Sequence, residues 1–150
     1  RALEVYLLTG KPLSEHFTEQ KQAAPLLDLC TVALIPEDRH LLHRQIEKRF
    51  LSMLEHGFLD EMHGLRRDYP QLHADMPSMR CVGYRQAWDY LEGETDYDTF
   101  VEKGIVATRQ LAKRQLTWLR KIPLAHTLDP YADSDYVQTA LVLARQHFQE

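Results

Sequence analysis

Between Lys103 and Asp129 the chain holds no aspartate or glutamate, although Arg109, Lys113, Arg114, Arg120 and Lys121 all fall within this stretch. Projected at the ~100° per residue of an α-helix, residues 105–121 divide into two halves. One half carries these five cations with Val106, Gln110 and Thr117, and the other carries Ala107, Trp118, Leu111, Leu119, Ala112, Ile105 and Leu116. The stretch is therefore expected to be an amphipathic helix with one basic face and one core-directed face. A helix on an ordinary globular surface mixes carboxylates among its cations. Their absence here points to an anionic partner, with a simply solvated face as the other reading. Thr108 and Gln115 fall inside the apolar half. A buried hydroxyl or amide without a partner costs ~1–3 kcal/mol, so both are expected to bond to backbone or to a ligand.

The whole chain has a formal net charge of −4, with 44% hydrophobic and 27% charged residues over 150 positions. A basic patch on an acidic body favours directed docking over general coating of nucleic acid. The composition excludes a mainly disordered chain, and the length suits one domain with its own core. Cys30 and Cys81 stand far apart and in no ligand-like spacing, which argues against a disulfide framework or a zinc site and fits a reducing cytoplasm. No apolar run reaches the ~20 residues needed to cross a bilayer, and no membrane partner or signal peptide is expected. Because the sequence opens at Arg1, without methionine and inside a helical pattern, a piece of a longer polypeptide is expected.

In chain order, Arg1 to Leu8 reads as helix, stopped by Gly10 before Pro12. Gly10-Lys11 is not a phosphate loop, since Pro12 stands where Ser or Thr is needed and the upstream glycine is missing. Ser14 to Gln22 reads as a polar connector leading to Pro25. Leu29 to Ile35 reads as a buried parallel strand ended by Pro36. Asp38 and Glu37 then open a helix with Leu42, Ile46, Phe50, Met53 and Leu54 on its apolar stripe. Arg39, His43, Arg44, Lys48 and Arg49 lie on its solvent face. Further helices are expected at Leu59 to Arg67, at Tyr84 to Leu91, and from Tyr97 behind an Asp96 or Thr95 cap, continuing into the basic stretch until Pro123. A short strand within Leu124 to Leu128 and a last helix to Phe148 complete a helix-rich α/β pattern.

Arg80-Cys81-Val82-Gly83-Tyr84-Arg85-Gln86 is the second notable stretch. Gly83 suits a tight turn at a helix start where backbone can approach a ligand. Tyr84, Arg85 and Gln86 offer a stacking ring, a cationic fork and an amide, which can read an unpaired base. An ordinary loop-to-helix junction with Tyr84 and Trp88 in the core remains open beside that reading. Arg39 and Arg44, at a helix start after a strand, can reach phosphate or pair with Glu37 and Glu47. The histidines His40, His43, His56 and His63 lack a metal-binding pattern and read as surface residues. Asp60 and Glu61 diverge by ~100° on a helix, so they read as a helix-end charge pair rather than a catalytic dyad.

Taken together, Arg1-Ala2-Leu3-Glu4-Val5-Tyr6, Thr9-Gly10-Lys11-Pro12-Leu13-Ser14, the Arg80 to Gln86 stretch, Tyr90-Leu91-Glu92-Gly93 and the run from Thr108 to Arg120 resemble the bacterial tRNA dimethylallyltransferase (tRNA isopentenyltransferase) family across nearly the whole chain. That resemblance implies a P-loop, nucleotide-kinase-like α/β core with a helical insertion. Residues 1–24 would close the insertion, and residues 25–150 would form the C-terminal part of the core. It implies transfer of a dimethylallyl group from dimethylallyl diphosphate to the exocyclic amine of the adenosine on the 3′ side of the anticodon.

The family's phosphate loop and catalytic aspartate lie in its N-terminal half, so this chain resembles the C-terminal half and carries no catalytic residue. It would be inactive alone. Carried over by position, tRNA contacts fall on Arg1, on Arg80, Cys81, Val82, Gly83, Tyr84, Arg85 and Gln86, and on Lys113, Arg114, Gln115, Leu116, Thr117, Trp118, Leu119 and Arg120. Arg85 and Gln86 are expected at anticodon-loop bases, and Lys113, Arg114 and Arg120 at phosphates. Further phosphate contacts are expected from Arg39, Arg44 and Arg109. The implied partners are the tRNA anticodon stem-loop and dimethylallyl diphosphate, the implied cofactor is Mg2+ held mainly by the other half, and a monomer is expected. A non-enzymatic helical module binding nucleic acid through the same basic helix is the alternative.

Overall fold

The computed structural model describes residues 1–22, 27–122, 126–132 and 134–148, with backbone alone for 21 and 22. It divides into two units, residues 1–30 and 31–150. The first holds α1 (Ala2–Thr9) and α2 (Leu13–Gln22). Gly10, in the left-handed region, closes α1 by donating its N–H to the Tyr6 carbonyl at 2.8 Å. The expected polar connector after Ser14 is helical instead. Its sequence has no apolar stripe to announce a helix, but Glu15 sits in the first turn and Lys11 clasps Glu19 at 2.6 Å. The same ion pair occupies the lysine of the discarded phosphate-loop pattern.

The second unit contains β1 (Val32–Leu34), α3 (Arg39–Glu55), α4 (Phe58–Asp68), a 3-10 turn (Pro77–Arg80), α5 (Tyr84–Leu91), α6 (Tyr97–Leu119), β2 (His126–Leu128) and α7 (Tyr136–Phe148). β1 and β2 run parallel, with Val32 opposite His126 and Leu34 opposite Leu128. The parallel direction matches the sequence reading, but the strand is shorter and less covered. Ala33 is buried, whereas Leu29 is 67% and Leu34 43% exposed. An apolar run records composition, while burial needs neighbours on both sides, and among the described residues β1 pairs with β2 alone. Of the expected chain breakers and strand residues, Pro25, Pro123 and Leu124 lie outside the described residues.

The core gathers at the meeting of α3, α4, α5 and α6. Phe50 packs edge-on against both Phe58 and Phe100, at ring separations of 6.4 and 5.9 Å. Phe100 and Met62 are fully buried, each contributing about 1.5–3 kcal/mol through removal from water. The α3–α6 contact is close because residue 104 is glycine. A Cβ there would stand 2.2 Å from Phe50 Cζ. Asp96 caps α6 through the Thr99 N–H at 2.7 Å, and the helix runs unbroken through the basic stretch. Asp38 caps α3 through the His40 and Leu41 N–H groups at 2.7 and 3.1 Å. Both caps have their carboxyls held below the usual range, Asp38 chiefly by the Leu41 N–H and Asp96 chiefly by hydrogen bonding from Thr99.

Candidate nucleic-acid interface

Two helices bring cations together. Arg39 and His43, one turn apart at the start of α3, face Arg109 and Lys113 of α6 and Arg120 at its C-cap across a cleft of about 350 Å³. No carboxylate lines it. Its lining also includes Leu42, Ala112 and the buried Leu116, so apolar side chains lie beneath the more exposed charges. Arg109 spans two environments: its Nη2 donates to Glu47 Oε2 of α3 at 2.9 Å, while its Nε is buried without a partner. The basic face therefore does meet an acid, supplied by another helix rather than by its own sequence. Among the described residues, Arg39, Lys113 and Arg120 have no ion-pair partner.

The segment 113–120 is not a uniform binding strip. Leu116 is buried, Lys113 and Arg120 open onto the cleft, and Arg114 is exposed elsewhere on the helix. Trp118, assigned by periodicity to the core-directed half, is 72% exposed, with the Lys121 ammonium 5.7 Å from its ring centroid. Trp118 lies about 160° from the buried Leu116 around the helix, at the margin of that half, and Leu119 beyond it is half-buried. Thr108 resolves as a backbone-bonded hydroxyl that donates to the Gly104 carbonyl at 2.8 Å. Gln115 is exposed, so its place in the apolar half imposes no burial cost.

The Arg80 to Gln86 stretch forms a second feature. Gly83 has φ 95°, a region closed to most side chains, and its N–H donates to Gln86 Oε1 at 2.8 Å. Gln86 thus uses its carbonyl oxygen to cap α5. Tyr84 donates its hydroxyl to Glu61, and its ring meets Phe58 edge-on at 5.5 Å. That hydrogen bond, with partial burial, pushes the phenol above its ordinary titration range. Arg80 and Arg85 line a separate cleft of about 280 Å³ together with Asp75 and Asp89. Cys81 is exposed and Val82 half-buried.

Of the remaining expected contacts, Arg44 lies in a shallower depression beside Glu47 and Glu55 and does not join the α3–α6 cleft. Arg1 is exposed at the start of α1, in the first unit. His43 by itself reads as an ordinary surface histidine, but its spacing of four from Arg39 is the sequence signal that places the two on one helix face. His40, His56 and His63 are exposed. Among the described residues, no group of three or more His, Cys, Asp or Glu side chains is placed to hold a metal.

A parallel strand pair that brackets α3 to α6 in the chain, with a cationic cleft free of carboxylates between α3 and α6, defines a helix-rich α/β protein. An IPP transferase family model matches residues 1–122, and the chain belongs to that family. The tRNA dimethylallyltransferase of Neisseria meningitidis serogroup C (strain 053442) is 58% identical over 148 residues, covering 99% of this chain and 47% of that protein. The Chromobacterium violaceum enzyme of the same name is 56% identical over 122 residues, covering 81% and 38%. The full-length tRNA isopentenylpyrophosphate transferase of Bacillus halodurans superposes with a TM-score of 0.73 at 25% identity, over 90% of this chain and 44% of that one. The Staphylococcus epidermidis structure gives 0.69 at 30% identity, over 93% and 46%. The chain spans about half the length of the curated relatives it matches.

Proposed function

We propose that this chain supplies RNA binding and channel walls to a prenyltransferase that modifies tRNA. The reaction moves a dimethylallyl group from dimethylallyl diphosphate to the exocyclic amine of the adenosine on the 3′ side of the anticodon. The allylic C–O bond breaks and diphosphate departs with the electron pair. The C–N bond forms and one proton leaves the amine nitrogen. Membership of the IPP transferase family supports this reaction class. The observation that carries the RNA assignment is the convergence of Arg39, Arg109, Lys113 and Arg120 on one cleft without a carboxylate, since guanidinium forks and ammonium groups suit phosphate oxygens.

Within this reading, residues 25–150 belong to a P-loop, nucleotide-kinase-like core and residues 1–24 close a helical insertion. The work of these residues is to bind and orient, holding the anticodon stem-loop while the target adenine leaves its stack. Arg85 and Gln86 serve anticodon-loop bases, Gln86 through its amide N–H groups while its oxygen holds the Gly83 N–H. The Mg2+ implied by the family would be held mainly by residues outside this chain, since no group of three or more His, Cys, Asp or Glu among the described residues could hold it. A cytoplasmic monomer accords with this role, and no described helix is long and apolar enough to cross a membrane. The names of the relatives weigh against a non-enzymatic module.

In the complete protein, Arg114→Ala and Arg120→Ala are each expected to weaken tRNA binding and to reduce the slope of log affinity against log salt by about one. Binding that stays unchanged across salt overturns the RNA assignment. Failure of the unaltered protein to transfer label from dimethylallyl diphosphate to tRNA overturns the reaction.

A further inference from the structure

The first turn of α4 builds the seat on which the turn into α5 rests. Phe58 meets the Tyr84 ring edge-on at 5.5 Å, and its Cζ lies 3.5 Å from the point where a Cβ on Gly83 would stand. Glu61, on the same helix, accepts the Tyr84 hydroxyl hydrogen across 23 positions of sequence. Its side chain is exposed and takes no part in the core around Phe50, Met62 and Phe100. Sequence alone assigns Glu61 to a helix-end charge pair, whereas the fold turns it to Tyr84. Ring packing holds Tyr84 against α4 with little directional preference, while a hydrogen bond to a carboxylate is charge-assisted and directional. Together the two contacts fix Tyr84 at its ring and at its tip. Arg85 follows immediately, and Gln86 Oε1 holds the Gly83 N–H at 2.8 Å, so Arg85 stands between two anchored neighbours. Its own side chain is exposed and, among the described residues, has no ion-pair partner.

We infer that Glu61 is a positioning residue for RNA binding: by holding the Tyr84 hydroxyl it fixes the turn at Gly83, and with it the place from which Arg85 reaches RNA. This rests on the RNA-binding reading above and adds to it a carboxylate that lies outside the residues expected to touch RNA. The sign of its effect is distinctive. A carboxylate repels a polyanion, so by electrostatics alone removing Glu61 strengthens binding. Losing a positioning contact weakens binding, because Arg85 must then be ordered when RNA arrives rather than beforehand.

The test measures binding of a labelled anticodon stem-loop hairpin to the complete protein by fluorescence anisotropy. Glu61→Leu removes the acceptor, Tyr84→Phe removes the donor while leaving the ring on Phe58, and Glu61→Gln keeps an acceptor oxygen. Glu61 is exposed and Tyr84→Phe deletes a single oxygen, so folding should survive, and urea denaturation checks it. Glu61→Leu and Tyr84→Phe are each expected to weaken binding by about threefold to fivefold, and Glu61→Gln by less than about twofold. With Arg85→Ala already in place, the loss from Glu61→Leu should disappear, because residues that act through one another are not additive. An undiminished loss beside Arg85→Ala marks a general structural effect and overturns the inference. Tighter binding by Glu61→Leu overturns it too, as does a Glu61→Gln loss equal to that of Glu61→Leu, or an Arg85→Ala protein that binds like the unaltered one. If Arg85→Ala weakens binding while Glu61→Leu and Tyr84→Phe do not, the RNA reading stands and the positioning role falls. If the unaltered protein does not bind the hairpin, both fall.

Discussion

Arg109 reaches from α6 to α3, where its Nη2 donates to Glu47 Oε2 at 2.9 Å across 62 positions of sequence. The pair sits at the edge of the cationic cleft, with side-chain exposures of 33% and 50%. At that exposure an ion pair adds at most about 1 kcal/mol to stability. Its larger effect is on the field, since Glu47 offsets one of the charges that an anion would meet.

Replacing Glu47 with Gln keeps a hydrogen-bond acceptor for Arg109 but removes the negative charge. RNA affinity of the complete protein is expected to rise by about twofold to threefold at low salt, with the difference vanishing at high salt. Titration of labelled RNA at several salt concentrations checks this. A fall in affinity would mean that the charged form of Glu47 is needed to hold Arg109 in place.

Gly104→Ala places a methyl group where Phe50 Cζ would lie 2.2 Å away. Alanine is favoured over glycine in a helix by about 1 kcal/mol, but overpacking a core costs about 1–3 kcal/mol. The clash is expected to win because the obstacle is a ring fixed between Phe58 and Phe100. Urea denaturation should show a lower midpoint, partly restored by adding Phe50→Leu.

Tyr84 should ionise at a higher pH than free tyrosine does. Its titration is raised first by the hydrogen bond to Glu61, then by burial and by the carboxylate's charge. A group with a raised folded pKa contributes stability that is complete below the unfolded value of ~10 and is lost as pH climbs through the folded value. Ultraviolet titration against a Tyr84→Phe reference should place this phenol above the ordinary range, and Glu61→Gln should bring it back down.

Asp96→Ala removes the cap of α6, the helix that carries most of the candidate cleft. Because the folded carboxyl titrates below its usual range, its stabilising effect exists above the unfolded value of ~4 and disappears as pH falls through the folded value. The variant should melt below the unaltered protein at neutral pH and converge with it in acid. Asp96→Asn should retain most of the cap at neutral pH without the acid dependence.

Local chemistry made much of this fold legible. Asp38 and Asp96 announce helix starts, Gly83 marks the turn into α5, and the stripe from Leu42 to Phe50 marks the buried side of α3, because capping and helical periodicity act within a few residues. Less local features are not legible in the same way. The α2 helix has no apolar stripe, and β1 is only partly covered because, among the described residues, it pairs with β2 alone. Trp118 shares the angular half of Leu116 but stands about 160° from it around the helix, and only Leu116 is covered.

The acid-free stretch, the helix it forms and the family it belongs to are properties that the amino-acid order determined by itself. Which charges meet was decided by tertiary structure. Arg39 and His43 join Lys113 and Arg120, Arg44 does not, and Gln86 turns inward to cap Gly83. The physical reason is range. Helical periodicity orients side chains around one axis, whereas a cleft depends on how closely two axes approach, and here Gly104 against Phe50 sets that approach.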